Sequence, residues 1–160
     1  MNNLHRAYLN LGSNIDPGLN LSKGIDLLKG YGEIKAVSHV WESKSVGYDG
    51  PNFLNACVLF LTESQPENLK AEIIHPIEEQ LGRVRGADKN MPRTMDIDVV
   101  LFDEKPIMKA EYWDSAFVIV PLAELLPDFI HPVHKEKLSR HSEQLQDQVW
   151  IVKRNDVSLS

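Results

Sequence analysis

Two carboxylates, Asp96 and Asp98, flank Ile97 in the run "RVRGADKNMPRTMDIDVVLF" (83–102), and four cations, Arg83, Arg85, Lys89 and Arg93, precede them. On an extended strand, side chains at i and i+2 leave from the same face about 7 Å apart. The aspartates therefore make an anionic pair whose repulsion a cation between or beside them would relieve. Magnesium is held in this way, by one or two carboxylates together with substrate phosphates. Arginine binds phosphate oxygens through two parallel hydrogen bonds and keeps its charge in any protein site. Metal-binding anions next to phosphate-binding cations are the parts of a phosphoryl-transfer site. Alone, Asp-x-Asp is more often a solvated strand end; the arginines beside it change the reading.

Other residues bear on the same chemistry. No G-x-x-x-x-G-K-[ST] or G-x-G-x-x-G motif is present, so a nucleotide would have to be held by side chains of the basic loop and the helix before it. On that helix His75 and Glu78 are three residues apart and expected to face together, as nucleotide contacts or as ordinary exposed polar residues. Phe53 and Asn55 share a strand face, an aromatic plane beside a donor–acceptor amide, which suits a flat heterocycle. Phe53 taken singly reads as core, and so does Phe117. Histidines 131, 134 and 141 lack companion cysteines and make no zinc pattern, so they are expected at the surface.

The elements that must carry these residues follow from periodicity. "RAYLNLGSN" (6–14) is a strand ended by Gly12-Ser13-Asn14, and Leu21, Ile25 and Leu28 recur at helical spacing before Gly30 and Gly32. Residues 33–44 alternate as a strand, and "FLNACVLFLT" (53–62) is the strongest strand; the two should pair as an antiparallel hairpin. Pro66 opens a second helix with the stripe Leu69, Ile73, Ile77, Leu81, in which Pro76 deletes a backbone bond and can kink the axis. "MDIDVVLFDE" is the fourth strand. The order strand, helix, strand, strand, helix, strand predicts an α+β, ferredoxin-like βαββαβ core with an antiparallel sheet and helices on one face. Beyond residue 105 come a short helix at "PLAELLPD", a surface helix within "HKEKLSRHSEQLQ", and "VWIVKR" as a strand or extended tail.

The whole chain sets the context. At 160 residues it is expected to be one domain spanning 1–160. A hydrophobic share of 42% and a charged share of 25% match ordinary globular usage, which disfavours disorder. A net charge of −6 argues against a broad nucleic-acid footprint, whereas the cationic run at 83–93 suits a small polyanion. Cys57 is the single cysteine and lies in an apolar run, so a buried, reduced thiol is expected. No apolar stretch approaches the roughly 18 residues of a membrane span, and the protein is read as a cytoplasmic monomer.

Four segments, "LGSN" (11–14), "PNFLNACV" (51–58), "LGRVR" (81–85) and "PRTMDIDVVLF" (92–102), together with "VPLAELLPDFIHP" (120–132), resemble in order and separation the 6-hydroxymethyl-7,8-dihydropterin pyrophosphokinases of folate synthesis. The resemblance covers residues 6–132 and is most specific from Leu81 to Phe102. It implies transfer of the β,γ-diphosphate of ATP to the pterin hydroxymethyl oxygen with release of AMP. It also implies two magnesium ions on Asp96 and Asp98, with Arg83 and Arg93 against the phosphates as further catalytic residues. His75, Glu78, Arg85 and Val99 would lie around ATP. Phe53 and Phe117 would sandwich the pterin, Asn55 would bond its edge, and Ser43 and Val46 would line the pocket.

The chain also departs from the family pattern. Asn90 stands where an aromatic is usual, Lys44 where proline is common, and residues 104–117 form a shorter connection lacking a His-Pro-basic motif. Less ATP closure is expected from that shorter stretch. Two alternatives stay open: a relative that binds pterin or nucleotide without transfer, and an RNA platform, which an acidic chain with 8% aromatics does not favour.

Overall fold

The computed structural model describes residues 4–45, 49–83 and 94–159. Strands β1 (His5–Ser13), β2 (Glu33–Val37), β3 (Trp41–Ser43), β4 (Phe53–Thr62), β5 (Asp96–Phe102), β6 (Lys105–Pro106) and β7 (Ile151–Lys153) form one antiparallel sheet in the order β6-β5-β1-β4-β3-β7, with β2 also on β4. Taking β2 and β3 as one interrupted strand, the core order is fourth, first, third, second, the split βαβ arrangement the sequence predicts.

The interruption has a local cause. Val37 pairs with Val58 and Trp41 with Asn55, so one strand advances a residue further than the other, as at a bulge. At that point the Ser38 hydroxyl accepts the Cys57 N–H at 2.8 Å, and a side chain stands in for the ladder.

Helices α1 (Pro17–Lys29), α2 (Pro66–Asn68) and α3 (His75–Gln80) belong to the first half of the chain. Leu21, Ile25 and Leu28 of α1 and Ile77 of α3 pack on Leu9, Leu11, Val58, Phe60, Ile97 and Val99. Between α2 and α3 the backbone widens into a π-helix, Leu69–Ile74, where the His75 N–H reaches back to the Lys70 carbonyl. Pro76 explains the widening, since its ring crowds the carbonyl four residues earlier and it has no N–H to donate.

The opposite sheet face is covered by α4 (Ala116–Leu125) and α5 (Leu138–Gln148), with Val118, Ile119, Leu122, Leu138 and Leu145 packing on Tyr8, Cys57 and Leu59. The extra C-terminal helices therefore make the second outer layer. Being enclosed on both sides, β4 is buried almost throughout rather than at alternate positions. Glu124 pins α4 to β3 by accepting from the Trp41 indole N–H at 2.8 Å and the His39 backbone N–H at 3.0 Å. No helix among the described residues is long and apolar enough to cross a membrane.

The connection after β5 is folded back, not open. Asp103 and Glu104, with φ of 49° and 66°, make a two-residue hairpin turn of the kind that matches strand twist. Lys105 and Pro106 then return along β5. A 3₁₀ turn, Ala110–Asp114, follows and buries Trp113. The final segment is a strand, β7, paired with β3.

The three C-terminal histidines correct the surface expectation. His131 is 0% and His141 7% exposed; only His134 reaches solvent. Burial of His131 is tolerated because both ring nitrogens have partners: Nδ1 accepts the Val133 and His134 N–H groups at 3.0 Å each, and Nε2 lies 2.6 Å from the Trp113 carbonyl, to which it donates.

Candidate active site

Side chains directly opposite one another in an antiparallel pair share a sheet face. The register sets Asp96 opposite Gly12, Gly12 opposite Asn55 and Asn55 opposite Trp41. These residues line one row across β5, β1, β4 and β3. The next row holds Asp98, Asn10 and Cys57, and Ser43 faces Phe53. All lie on the face away from α1 and α3, on the side that α4 covers, where Phe117 is half-buried at the start of α4. Two strand spacings separate Asp96 from Asn55, about 10 Å.

Gly12 makes the floor between them. A Cβ at this position would lie 3.2 Å from Asn55 Oδ1, closer than ordinary contact, and 3.7 Å from Phe53 Cδ1, in ordinary contact, so a side chain would press on Asn55. Asn55, 2% exposed, donates its Nδ2 hydrogens to Ser43 Oγ at 2.8 Å and the Trp41 carbonyl at 3.3 Å. Its amide plane is thereby fixed, with Oδ1 turned toward Gly12. The loop before Phe53 is tied from three directions: the Pro51 carbonyl accepts from Asn14 Nδ2 at 3.2 Å and Ser45 Oγ at 2.6 Å, and Asn52 donates to Glu42 at 2.8 Å. The bond from Asn52, followed by the Arg154 guanidinium, holds the Glu42 carboxyl below its ordinary range.

At the other end of the row, one Arg83 nitrogen donates to Asp96 Oδ1 at 2.6 Å and Glu78 Oε2 at 2.8 Å. Glu78 Oε2 also accepts the Ile97 N–H at 2.9 Å. Burial opposes the charge on Arg83, but the Asp96 and Glu78 carboxylates outweigh it and hold the guanidinium above its ordinary value. The result locks β5 to the end of α3.

The sequence expectations fare unevenly in space. Ser43, Phe53, Asn55, Asp96, Asp98 and Phe117 come to one side of the sheet. Val46, Arg85 and Arg93 lie outside the described residues. His75 and Glu78 share α3 but not an environment: His75 is exposed, while Glu78 is 1% exposed and committed to Arg83 and Ile97. Both belong to α3, so the difference lies in what packs against each side chain and not in their spacing. Val99 points its side chain into the core with α1 and α3, so it offers no side-chain contact on the aspartate face.

Four contributors escape a reading by residue type: Gly12 as floor, the Ser43 hydroxyl as the brace of Asn55, Asn14 as the tie of the loop, and Asn10. The signal for the first and third was the "LGSN" turn itself. Asn10 lies directly opposite Asp98, and its buried Oδ1 has no hydrogen-bond partner among the described residues. An orphaned amide oxygen beside two carboxylates is a set of hard oxygen donors, which fits magnesium.

The sequence profile of 7,8-dihydro-6-hydroxymethylpterin-pyrophosphokinase (HPPK) matches residues 8–127. The 2-amino-4-hydroxy-6-hydroxymethyldihydropteridine pyrophosphokinase of Bacillus subtilis (strain 168) is 35% identical over 94% of this chain and 92% of its own length. The protein of the same name from Synechocystis sp. is 30% identical over 92% and 80%. The folic acid synthesis protein fol1 of Pneumocystis carinii is 31% identical, but the match takes in 88% of this chain and 20% of that protein. Among solved structures, Plasmodium falciparum HPPK-DHPS, wild type with pterin and p-hydroxybenzoate, superposes with a TM-score of 0.72 at 15% identity, over 92% of this chain and 45% of that one. This chain thus spans less than half of that two-part protein, and at such identity the likeness is one of fold. A profile that runs from β1 to just past α4, and relatives of similar length alike over nearly all of it, lead to one conclusion: the chain belongs to the 7,8-dihydro-6-hydroxymethylpterin-pyrophosphokinase family, a family of transferases.

Proposed function

We propose that the protein transfers the β,γ-diphosphoryl group of ATP to the hydroxymethyl oxygen of 6-hydroxymethyl-7,8-dihydropterin in folate synthesis, with magnesium at Asp96 and Asp98. The observation that carries this is the cross-strand row: an amide-and-aromatic end at Asn55 and Phe53, and a carboxylate end at Asp96 and Asp98, about 10 Å apart on one face. That separation lets a flat ring sit at one end with its hydroxymethyl arm directed at the other.

Asn55, with both amide hydrogens used, offers its oxygen as acceptor to the N–H edge of the pterin. Phe53 and Phe117 supply ring faces. Val46 and the Ser43 backbone complete the pocket. The bond from the hydroxymethyl oxygen to the β-phosphorus forms as that phosphorus parts from the α–β bridging oxygen. AMP leaves with the bridging oxygen, and the hydroxyl proton is released. Magnesium, held by Asp96 and Asp98 with Asn10 Oδ1 as a further oxygen, would offset charge gathering on the phosphates. Arg83 holds Asp96 in place by its hydrogen bond and acts as a positioning residue, while Arg85 and Arg93 of the basic loop supply the phosphate contacts, with His75 at its border.

A second reading, a pterin- or nucleotide-binding relative without transfer, has one observation in its favour: Arg83 already occupies an Asp96 oxygen at 2.6 Å, where it competes with a metal. Incubating the purified protein with ATP, magnesium and the hydroxymethyl pterin separates the two. Stoichiometric AMP and pterin diphosphate are expected; pterin binding without AMP would establish the binder.

A further inference from the structure

The sheet is not the only place where ligating groups converge. Asp114 at the end of the 3₁₀ turn, His131 and His134 in the loop after α4, and His141 on α5 bring one ligating atom each to within 4.8 Å of one another. None of these residues has a part in the pyrophosphokinase site. We propose that Asp114, His134 and His141 form a second metal site that takes one divalent transition-metal ion, with zinc the best fit, and staples the 3₁₀ turn, the 131–134 loop and α5 together.

The argument rests on where each nitrogen points. His141 Nδ1 lies 3.0 Å from Glu136 Oε1 and donates to it, since a carboxylate only accepts. In the neutral ring, the form that binds a metal, this leaves Nε2 as a lone pair. It is buried without a hydrogen-bond partner and sits 3.5 Å from Asp114 Oδ1. Two acceptors facing each other in a half-buried place repel unless a proton or a metal ion lies between them. His134 Nε2 approaches the same Asp114 oxygen, at 2.6 Å, so three ligating atoms meet at one point. Zinc bonds of about 2.0 to 2.1 Å in tetrahedral array set ligands roughly 3.3 Å apart, so the group needs shifts of about 1 Å or less to close on an ion.

Glu136 then has the outer-shell role that fixes the tautomer of a ligating histidine. His131 is a positioning residue. Its ring nitrogens are both engaged by backbone, and its Nδ1 holds the His134 N–H. Two imidazoles and one carboxylate select a first-row transition ion over magnesium or calcium, which prefer all-oxygen sets. This distinguishes the cluster from the Asp96–Asp98 pair. His134 and Asp114 are 43% and 58% exposed at the side chain, which gives the ion a way in and leaves a fourth position for water.

The test uses untagged, chelator-stripped full-length protein, titrated with zinc by calorimetry and with cobalt(II) by visible absorption. One equivalent should bind, with a tetrahedral cobalt spectrum and a rise in thermal midpoint that grows with free metal. The Asp96→Ala/Asp98→Ala double variant should bind it unchanged. Asp114→Ala and His134→Ala, both at exposed positions, should weaken binding by more than the ~10- to 100-fold expected for the outer-shell variant Glu136→Gln. Metal-free urea unfolding of each variant confirms that it is folded. No zinc binding by folded wild type, or binding that survives Asp114→Ala and His134→Ala but disappears in the double variant, would overturn the proposal.

Discussion

The two polar clusters of this molecule are built in opposite ways. Asp96 and Asp98 stand two residues apart on one strand, with amide oxygens on neighbouring strands, and a hydrogen bond from the half-buried Arg83 braces Asp96. Asp114, His134 and His141 come from a 3₁₀ turn, a loop and a helix, and no pair of them is adjacent in sequence. The first set is hard and oxygen-rich and lies on the sheet face of Asn55 and Phe53; the second is nitrogen-rich and sits where three connections meet. Strand-borne ligands are aligned by backbone pairing alone, whereas loop-borne ones need tertiary contacts, or an ion, to hold them.

The sharpest way to break this contrast is Asp98→Ala. The side chain is exposed, so removing it should lower turnover by at least about 1000-fold, a loss of ~4 kcal/mol or more in transition-state stabilisation, while the thermal midpoint stays close to wild type. AMP formation and calorimetry measure the two arms; residual activity within tenfold of wild type would remove the carboxylate pair from the chemistry.

Glu78→Gln probes the brace instead of the site. It leaves Arg83, half-buried, with one anionic partner in place of two and weakens the acceptor of the Ile97 N–H. A stability loss of about 2 kcal/mol is expected in urea unfolding, with activity falling because Asp96 loses its fixed partner. A midpoint unchanged from wild type would show that the Arg83–Asp96 bond suffices alone.

Asn55→Ala tests the other end of the row. The pterin should bind roughly 30-fold more weakly, about 2 kcal/mol, while ATP-analogue affinity is unaltered; equal losses for both ligands would mean the row is one pocket, not two. Ser43→Ala should give a smaller loss in the same direction, because it frees the amide that Asn55 offers.

The smallest effect concerns the hairpin that folds the 103–115 connection onto the sheet. The Asp103 carboxyl is held below its ordinary 3.8, first by the Arg6 N–H and then by His5. With the folded value below the unfolded one, this group adds stability above about pH 4 and loses it as pH falls through the folded value. Asp103→Asn should therefore slightly flatten the acid limb of the stability profile. The carboxylate is 44% exposed, so solvent screening keeps the change small; an acid limb steeper than wild type would contradict the sign.

The connection after β5 turns back along the sheet edge. Lys105 and Pro106 are paired with β5 and Trp113 is buried, while the rest of 103–115 is mostly exposed. Titration of ATP analogue beside a longer relative is expected to show weaker binding here; equal affinity would contradict it.

From the sequence alone came the order of elements, because hydrophobic periods of two and near four are local properties that the backbone must obey. So did the shared face of Asp96 and Asp98 and of Phe53 and Asn55, since alternation along a strand needs no knowledge of the fold. Which strand lies beside which was decided only by the tertiary structure, and with it the placing of Gly12 between Asn55 and Asp96. Glu78 illustrates the limit: a spacing of three puts it near His75 on α3, but burial made it a partner of Arg83 and the Ile97 N–H while His75 stayed exposed. His131 and His141 illustrate it further. Nothing in a composition poor in cysteine marks them as interior, because a histidine's burial depends on whether distant backbone and carboxylate groups meet its two nitrogens, and those partners are brought together only when α4, the loop and α5 close on the sheet.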